Sequence, residues 1–195
     1  MAQKSDSAVT PERFAQGLTY EQWMATIDRN QEAFQENYEA TELPEEDVRA
    51  FREIVGRPDG PARCLALGEA WCPDVFRGLP VVARIAEASG MELRVFFRDQ
   101  NKDIMAEFLK QGEHESIPVF VFYTRDTRDQ RYLCHWIERP ALANEEMHLM
   151  RQIFEGRPRE EALADYLAFQ KGPVWARWRQ ETVREIRELL SKHCS

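Results

Sequence analysis

The sequence predicts an α/β protein, a central mixed β-sheet flanked by helices, with extra helices at the N- and C-terminal ends. Three observations carry that expectation. Between about residues 62 and 140, short apolar runs alternate with helix-period segments in the order β-α-β-α-β-β. A helical pattern begins directly behind the first of these runs, at Cys72-Pro73. The flanks, 18–57 and 141–195, place apolar residues at helical spacings instead.

The elements follow in order. Residues 1–17 are polar and aperiodic and read as a flexible tail. Thr19-Tyr20-Glu21-Gln22 is a capping box: the Thr19 hydroxyl can accept an orphan N–H, and Gln22 can reach back. Behind it, Trp23, Ile27, Phe34 and Tyr38 give a mostly helical apolar face. A second helix follows Pro44, with Val48, Phe51 and Val55 on one side and acids in its first turn, where the helix dipole favours them. Pro58-Asp59-Gly60 is a turn.

Arg63 to Leu67 is the first strand. Cys72, Phe76, Leu79, Ala83 and Ala86 then repeat at spacings of 4, 3, 4 and 3, one face of a helix that Gly90 ends. Leu93–Phe97 is a strand, Ile104–Leu109 lies in a helix, and Val119–Tyr123 is a third strand. Thr124–Gln130 is a charged turn, after which Tyr132–Ile137 returns as the fourth. This order implies parallel pairing through the helical crossovers and an antiparallel hairpin at the end. Asn144–Phe154 and Arg159–Phe169 read as helices, Gly172-Pro173 as a break, and the last helix carries Trp175, Trp178, Thr182, Ile186 and Leu189 on one face. With no repeat or linker, 18–195 reads as one domain.

Composition narrows the function classes. The 195 residues are 43% hydrophobic and 31% charged, enough for one full core and too few for two comfortable ones. A net charge of −8 argues against nucleic acid, which wants a basic surface. No apolar run approaches the roughly 18–20 residues of a membrane span, and the N-terminus has no apolar secretory segment, so the expected compartment is the cytoplasm. Cys64, Cys72, Cys134 and Cys194 are dispersed without disulfide-framework or zinc spacing, and His114, His135 and His148 have no second ligand in metal-binding register. Neither a metal nor a cofactor is expected.

Cys72 stands apart because of its place. It closes a strand-to-helix junction, and Pro73 occupies the first turn, where a missing N–H costs nothing. A sulfur there faces unpaired N–H groups and the positive end of the helix dipole, so its pKa is expected to fall below the free value of about 8.5. Asp74 sits in the same turn, and its charge opposes the thiolate unless it faces solvent or relays a proton.

Here the sequence resembles the thioredoxin superfamily over roughly residues 62 to 140, and the flanking helices look like those of a bacterial thioredoxin-like group. Trp71-Cys72-Pro73-Asp74-Val75 occupies the place of the family's W-C-x-x-C motif, and Pro80 matches the proline inside the active-site helix. Asp99-Gln100-Asn101 matches a common junction, and Ser116-Ile117-Pro118-Val119 the loop whose proline is cis. The resemblance implies a cis Pro118 against Cys72, backbone groups of Ile117 that pair with an extended peptide or a small thiol such as glutathione, and Trp71 on the substrate-facing surface. Two departures count against ordinary dithiol chemistry: Val75 stands where the resolving cysteine belongs, and Ala66 where the family keeps a buried acid.

Two functions from different classes follow. One is a monothiol oxidoreductase or thiol-handling protein, with Cys72 as nucleophile forming a mixed disulfide with a protein disulfide or low-molecular-weight thiol. Trp71, Pro73, Asp74, Ile117 and Pro118 would then line its binding site. The other is a redox-inert thioredoxin-fold binding module that uses the cis-proline groove for a peptide or partner. A peroxidase is weaker, since no peroxide-binding arginine and threonine accompany the cysteine. Cys64 is too far along its strand to resolve Cys72, Cys134 reads as a core or sheet position, and Cys194, in a mobile end, could swing in, with a loose terminal thiol as the default reading. The stripe of Trp175, Trp178 and Ile186 reads as packing onto the domain, with a dimer seam or a membrane-surface helix as alternatives that the interleaved Glu181, Glu185 and Glu188 weaken for the membrane. A monomer or a homodimer without a membrane partner is expected.

Overall fold

The structure, a computed structural model, describes residues 7–125 and 130–193. Its centre is a four-stranded mixed sheet of β1 (Arg63–Gly68), β2 (Glu92–Phe97), β3 (Val119–Tyr123) and β4 (Tyr132–Ile137), in the spatial order β2-β1-β3-β4. β1 and β2 are parallel, joined by the long helix α5 (Pro73–Ser89). β3 runs antiparallel to β1, and β4 antiparallel to β3. Only the first crossover therefore gives parallel pairing. The second crossover contains just a 3-10 turn at Arg98–Gln100, the single-turn helix α6 (Lys102–Met105) and a loop, and it delivers the chain to β3 in the opposite direction. The helix expected over 104–109 is thus shorter and earlier, because Asn101 holds its start by donating from Nδ2 to the Phe97 carbonyl at 2.8 Å.

Register sorts the two faces. Ala66, Phe120 and Trp136 are cross-strand partners, and Phe120 stacks on Trp136 at 5.5 Å beneath α5. Leu65, Val121 and His135 are partners on the alternate face, where Phe108 meets His135 at 5.4 Å.

Among the described residues, four helices precede this sheet. α1 (Pro11–Ala15), α2 (Tyr20–Thr26), α3 (Gln31–Glu39) and α4 (Glu45–Gly56) come first, and α3 and α4 pack on α5. The single helical face expected over Trp23 to Tyr38 is broken: Ile27 is extended, Asn30 is left-handed, and Gln31 Nε2 donates to the Ile27 carbonyl at 2.9 Å. The break lets two short helices aim aromatic rings at one place. Trp23 meets Phe97 at 4.2 Å and Phe34 at 6.3 Å, and Phe34 meets Phe76 at 6.1 Å.

The segment expected to be a loose tail is packed where it is described. Phe14 and Val9 are buried, Arg13 Nη2 donates to Asn101 Oδ1 at 2.7 Å, and Ser7 and Ala8 both donate to Glu107. Polar composition concealed two anchoring side chains and a proline-started helix capped by Thr10. Leu18 then exchanges backbone hydrogen bonds with Val95 at 2.9 and 2.7 Å, covering the outer edge of β2.

The C-terminal helices are α7 (Ala141–Glu145), α8 (Met147–Phe154), α9 (Arg159–Gln170) and α10 (Pro173–His193). The helix expected over 144–154 starts earlier and is interrupted at Glu146. There the Glu146 carboxylate accepts from Trp178 Nε1 at 2.8 Å and Arg177 Nη2 at 2.6 Å, a pull from α10 that no local pattern records. Packing is what the tryptophan stripe does: Trp175, Trp178, Thr182 and Ile186 are buried, and Trp175 lies 6.2 Å from Phe76 of α5. Glu185 fastens α10 to the sheet by accepting from Trp136 Nε1 at 2.8 Å and from the Ala141 N–H at 2.6 Å. Of the expected turn over Thr124–Gln130, residues 126–129 lie outside the described residues, as does Cys194. No helix of the described residues is long and apolar enough to cross a membrane.

Candidate functional site

The site forms where β1 stops and α5 starts. Gly68 ends the strand against Val75: a Cβ there would meet Val75 Cγ1 at 2.7 Å, so only glycine lets the helix lie this close. The loop Glu69-Ala70-Trp71 is pinned from both sides. Asn30 Nδ2 donates to the Ala70 carbonyl at 2.8 Å, and the Glu69 carboxylate accepts the Asp99 N–H at 2.8 Å. Burial pushes the Glu69 carboxyl up, against that hydrogen bond.

Cys72 is the N-cap of α5, with Pro73 at the first helical position. It is 8% exposed, and its Sγ donates to the Ile117 carbonyl at 3.7 Å. The Ile117–Pro118 peptide bond is cis, and both residues are buried. The expected lowering of the Cys72 pKa does not occur. Burial raises it and the Asp74 carboxylate raises it further, while the first-turn N–H groups of Val75 and Asp74, and the Arg139 guanidinium, pull the other way. A dipole effect of about 0.3–1 kcal/mol is overcome by desolvation once the sulfur is inside.

Asp74 neither faces solvent nor stands free. One carboxylate oxygen is ion-paired with Arg77 Nη2 at 2.7 Å and the other with Arg139 Nη2 at 2.6 Å. Arg77 is 1% exposed, its guanidinium 5.0 Å from the Trp175 ring and 5.5 Å from the Trp178 ring. Arg139 reaches Glu138 at 2.6 Å, and Glu138 in turn pairs with Lys110, so a chain of alternating charges runs behind the thiol. The Asp74–Arg77 spacing of three is readable on one helix. Arg139 arrives only because the β3–β4 hairpin ends beside Pro118, whose carbonyl accepts the Glu138 N–H at 2.7 Å.

Trp71 is the outward residue, 49% exposed, with the Arg98 guanidinium 5.6 Å from its ring. On its other side Trp71 and Pro73 form one wall of an open groove of about 400 Å³. The opposite wall is Met150 and Phe154 from α8, Arg157 and Arg159, and Tyr166 from α9. Phe154 and Tyr166 meet at 5.3 Å, and Arg157 holds Asp165 at 2.6 Å across the α8–α9 turn. Burial pushes the Tyr166 hydroxyl up, the Gln170 side chain opposes this, and Asp74 and Cys72 add to the upward push from nearby.

The structure therefore brings together Trp71, Cys72, Pro73, Asp74, Ile117 and Pro118. Ile117 is buried, and its carbonyl accepts the Cys72 thiol. The wall from α8 and α9 and the two arginines on Asp74 escaped sequence reading. Cys64 and Cys134 are buried in the sheet, in register with Phe122 between them. Among the described residues no three His, Cys, Asp or Glu side chains group as metal ligands.

Comparison with known proteins places this geometry. A family model described as Thioredoxin matches residues 17–153, most of the chain and all of the site except Phe154, Arg157, Arg159 and Tyr166 of the groove wall. A crystal structure of a protein of unknown function from Pseudomonas aeruginosa superposes with a TM-score of 0.66 at 18% identity, covering 94% of this chain and 98% of that one. An HIV epitope scaffold superposes with a TM-score of 0.63 at 17% identity, covering 96% and 99%. At such identities the likeness is one of fold. No curated protein matches the sequence.

Proposed function

The chain belongs to the thioredoxin family, and from that premise we propose that it works as a binding module of that fold, holding a peptide or partner protein against Trp71, Pro73 and the groove beside them. The observation that carries this reading is the state of Cys72, a buried thiol that donates to Ile117 and whose pKa is pushed up. Thiolate is the attacking species in disulfide exchange, so a sulfur held as thiol reacts slowly. Val75 offers no resolving thiol and Ala66 no acid. An exposed tryptophan beside an aromatic groove is, by contrast, the composition of a recognition surface.

One observation favours the monothiol reading instead: the first-turn N–H groups and Arg139 both pull the sulfur toward thiolate. If the groove wall moved and water reached Cys72, its thiolate could attack a protein disulfide, forming a mixed disulfide and releasing one thiolate. A second, external thiol would resolve it. Alkylation of Cys72 across pH, resolved by mass spectrometry from the other three thiols, separates the two. The binding module predicts slow labelling of the folded protein that sets in only above the ordinary thiol range, with partner capture retained in Cys72→Ser. Rapid labelling near pH 7, and partners trapped only when Cys72 is present, would establish the monothiol instead.

A further inference from the structure

The helix α10 carries four arginines, and three of them meet carboxylates. Arg177 pairs with Glu146, Arg184 with Glu181 and Glu188, and Arg187 with Asp47. Arg179 is the exception. It is 9% exposed, yet among the described residues no carboxylate lies within 4 Å of it. Its Nη1 donates to Asn37 Oδ1 at 3.1 Å, an oxygen that also accepts Trp175 Nε1 at 3.0 Å, and its buried Nε has no partner at all. Burial pulls the Arg179 pKa down, and the nearby guanidinium of Arg77, of the same sign, adds to this against a weaker pull from Glu42. Burying an unbalanced cation is costly, and proteins ordinarily pair such groups.

Arg179 also lines a cavity of about 150 Å³ between α3, the end of α9 and α10. The small side chains of Ala33 and Ala40 on α3 leave the room, and Asn37, Gln170, Lys171 and Glu36 complete the lining. Lys171 and Glu36 pair with each other, so the charge left over in the cavity is that of Arg179.

We infer that this cavity is a site for a small oxyanion, a phosphate or carboxylate group, seated on Arg179 with Lys171 and the Gln170 amide at its rim. A guanidinium offers planar, paired N–H donors that match both groups, and the volume admits one such group and little more. The site lies on the side of α3 and α10, apart from the Cys72 groove, and stands whichever reading of Cys72 holds.

Thermal unfolding and tryptophan fluorescence test it, with sodium phosphate and sodium acetate titrated against sodium chloride at matched ionic strength. Trp175, whose Nε1 donates to the same Asn37 Oδ1 as Arg179, is the reporter. A bound oxyanion at about five times its Kd raises Tm by about 2–4 °C, saturably. Response to phosphate alone assigns a phosphoryl ligand, and response to acetate alone a carboxylate. Arg179→Gln abolishes the saturable part, and in chloride that variant is at least as stable as the parent because an unbalanced buried charge has gone. Ala33→Leu, which fills the cavity from the α3 side, abolishes it independently should Arg179→Gln not fold. Absence of any saturable response in the unaltered protein overturns the assignment, and so does an equal response in either variant, the signature of general salt exclusion.

Discussion

Asp74 decides how Cys72 behaves. It lies two residues from the sulfur, raises the thiol pKa, and is itself gripped by Arg77 and Arg139. Replacing it with asparagine keeps the shape and removes the anion. Because a nearby anion disfavours thiolate, its removal lowers the thiol pKa, and in Asp74→Asn the alkylation of Cys72 sets in at lower pH. The same change strands Arg77, which is buried, without its counter-charge, at a cost of about 3–5 kcal/mol in urea unfolding. An unmoved alkylation profile would mean that burial alone holds the thiol up.

At the scale of elements, the junction of β1 with α5 depends on close approach. Gly68 lies where a methyl group would strike Val75. Both are buried and central, so little can shift. Gly68→Ala is expected to cost about 1–3 kcal/mol in denaturant unfolding, and Val75→Ala in the same chain should return most of it, since the two effects share one contact. Additive effects would place the strain elsewhere in the loop. The same junction explains why valine at position 75 does structural service where the family keeps a thiol: it seats the helix on the end of the strand.

For the whole molecule, α10 is the closing element. Trp178 is fully buried, packs tilted against Trp175 at 5.6 Å and edge-on against Phe169 at 5.5 Å, and donates to Glu146, so one side chain ties α8, α9, α10 and, through Arg77, the Cys72 site. Trp178→Ala leaves a large void under α10 and should cost about 3–5 kcal/mol by urea denaturation. Cys72 is also expected to label faster in that variant, because α9, held partly by Phe169, supplies Tyr166 to the groove wall. A loss of stability with unchanged labelling would show that α9 is held by other contacts.

Local pattern was enough for much of this protein. Hydrophobic period and breakers located β3 and β4 to the residue, the helix between Pro73 and Gly90, and the capping box at Thr19, because each rests on neighbours within a few positions. The cis Pro118 beside Cys72 was legible through family likeness, since the loop that carries it is short and distinctive. Tertiary structure alone decided the rest. The antiparallel entry of β3, the break at Ile27–Asn30 and the interruption at Glu146 answer to partners far along the chain, which period cannot register. So does the chemistry of Cys72. Its place on a helix N-terminus was written in the sequence, but its charge state is set by desolvation and by the carboxylate at Asp74, with Arg139 opposing from a distant hairpin. Burial is a property of the assembled core, and it outweighs the dipole that the local sequence supplies.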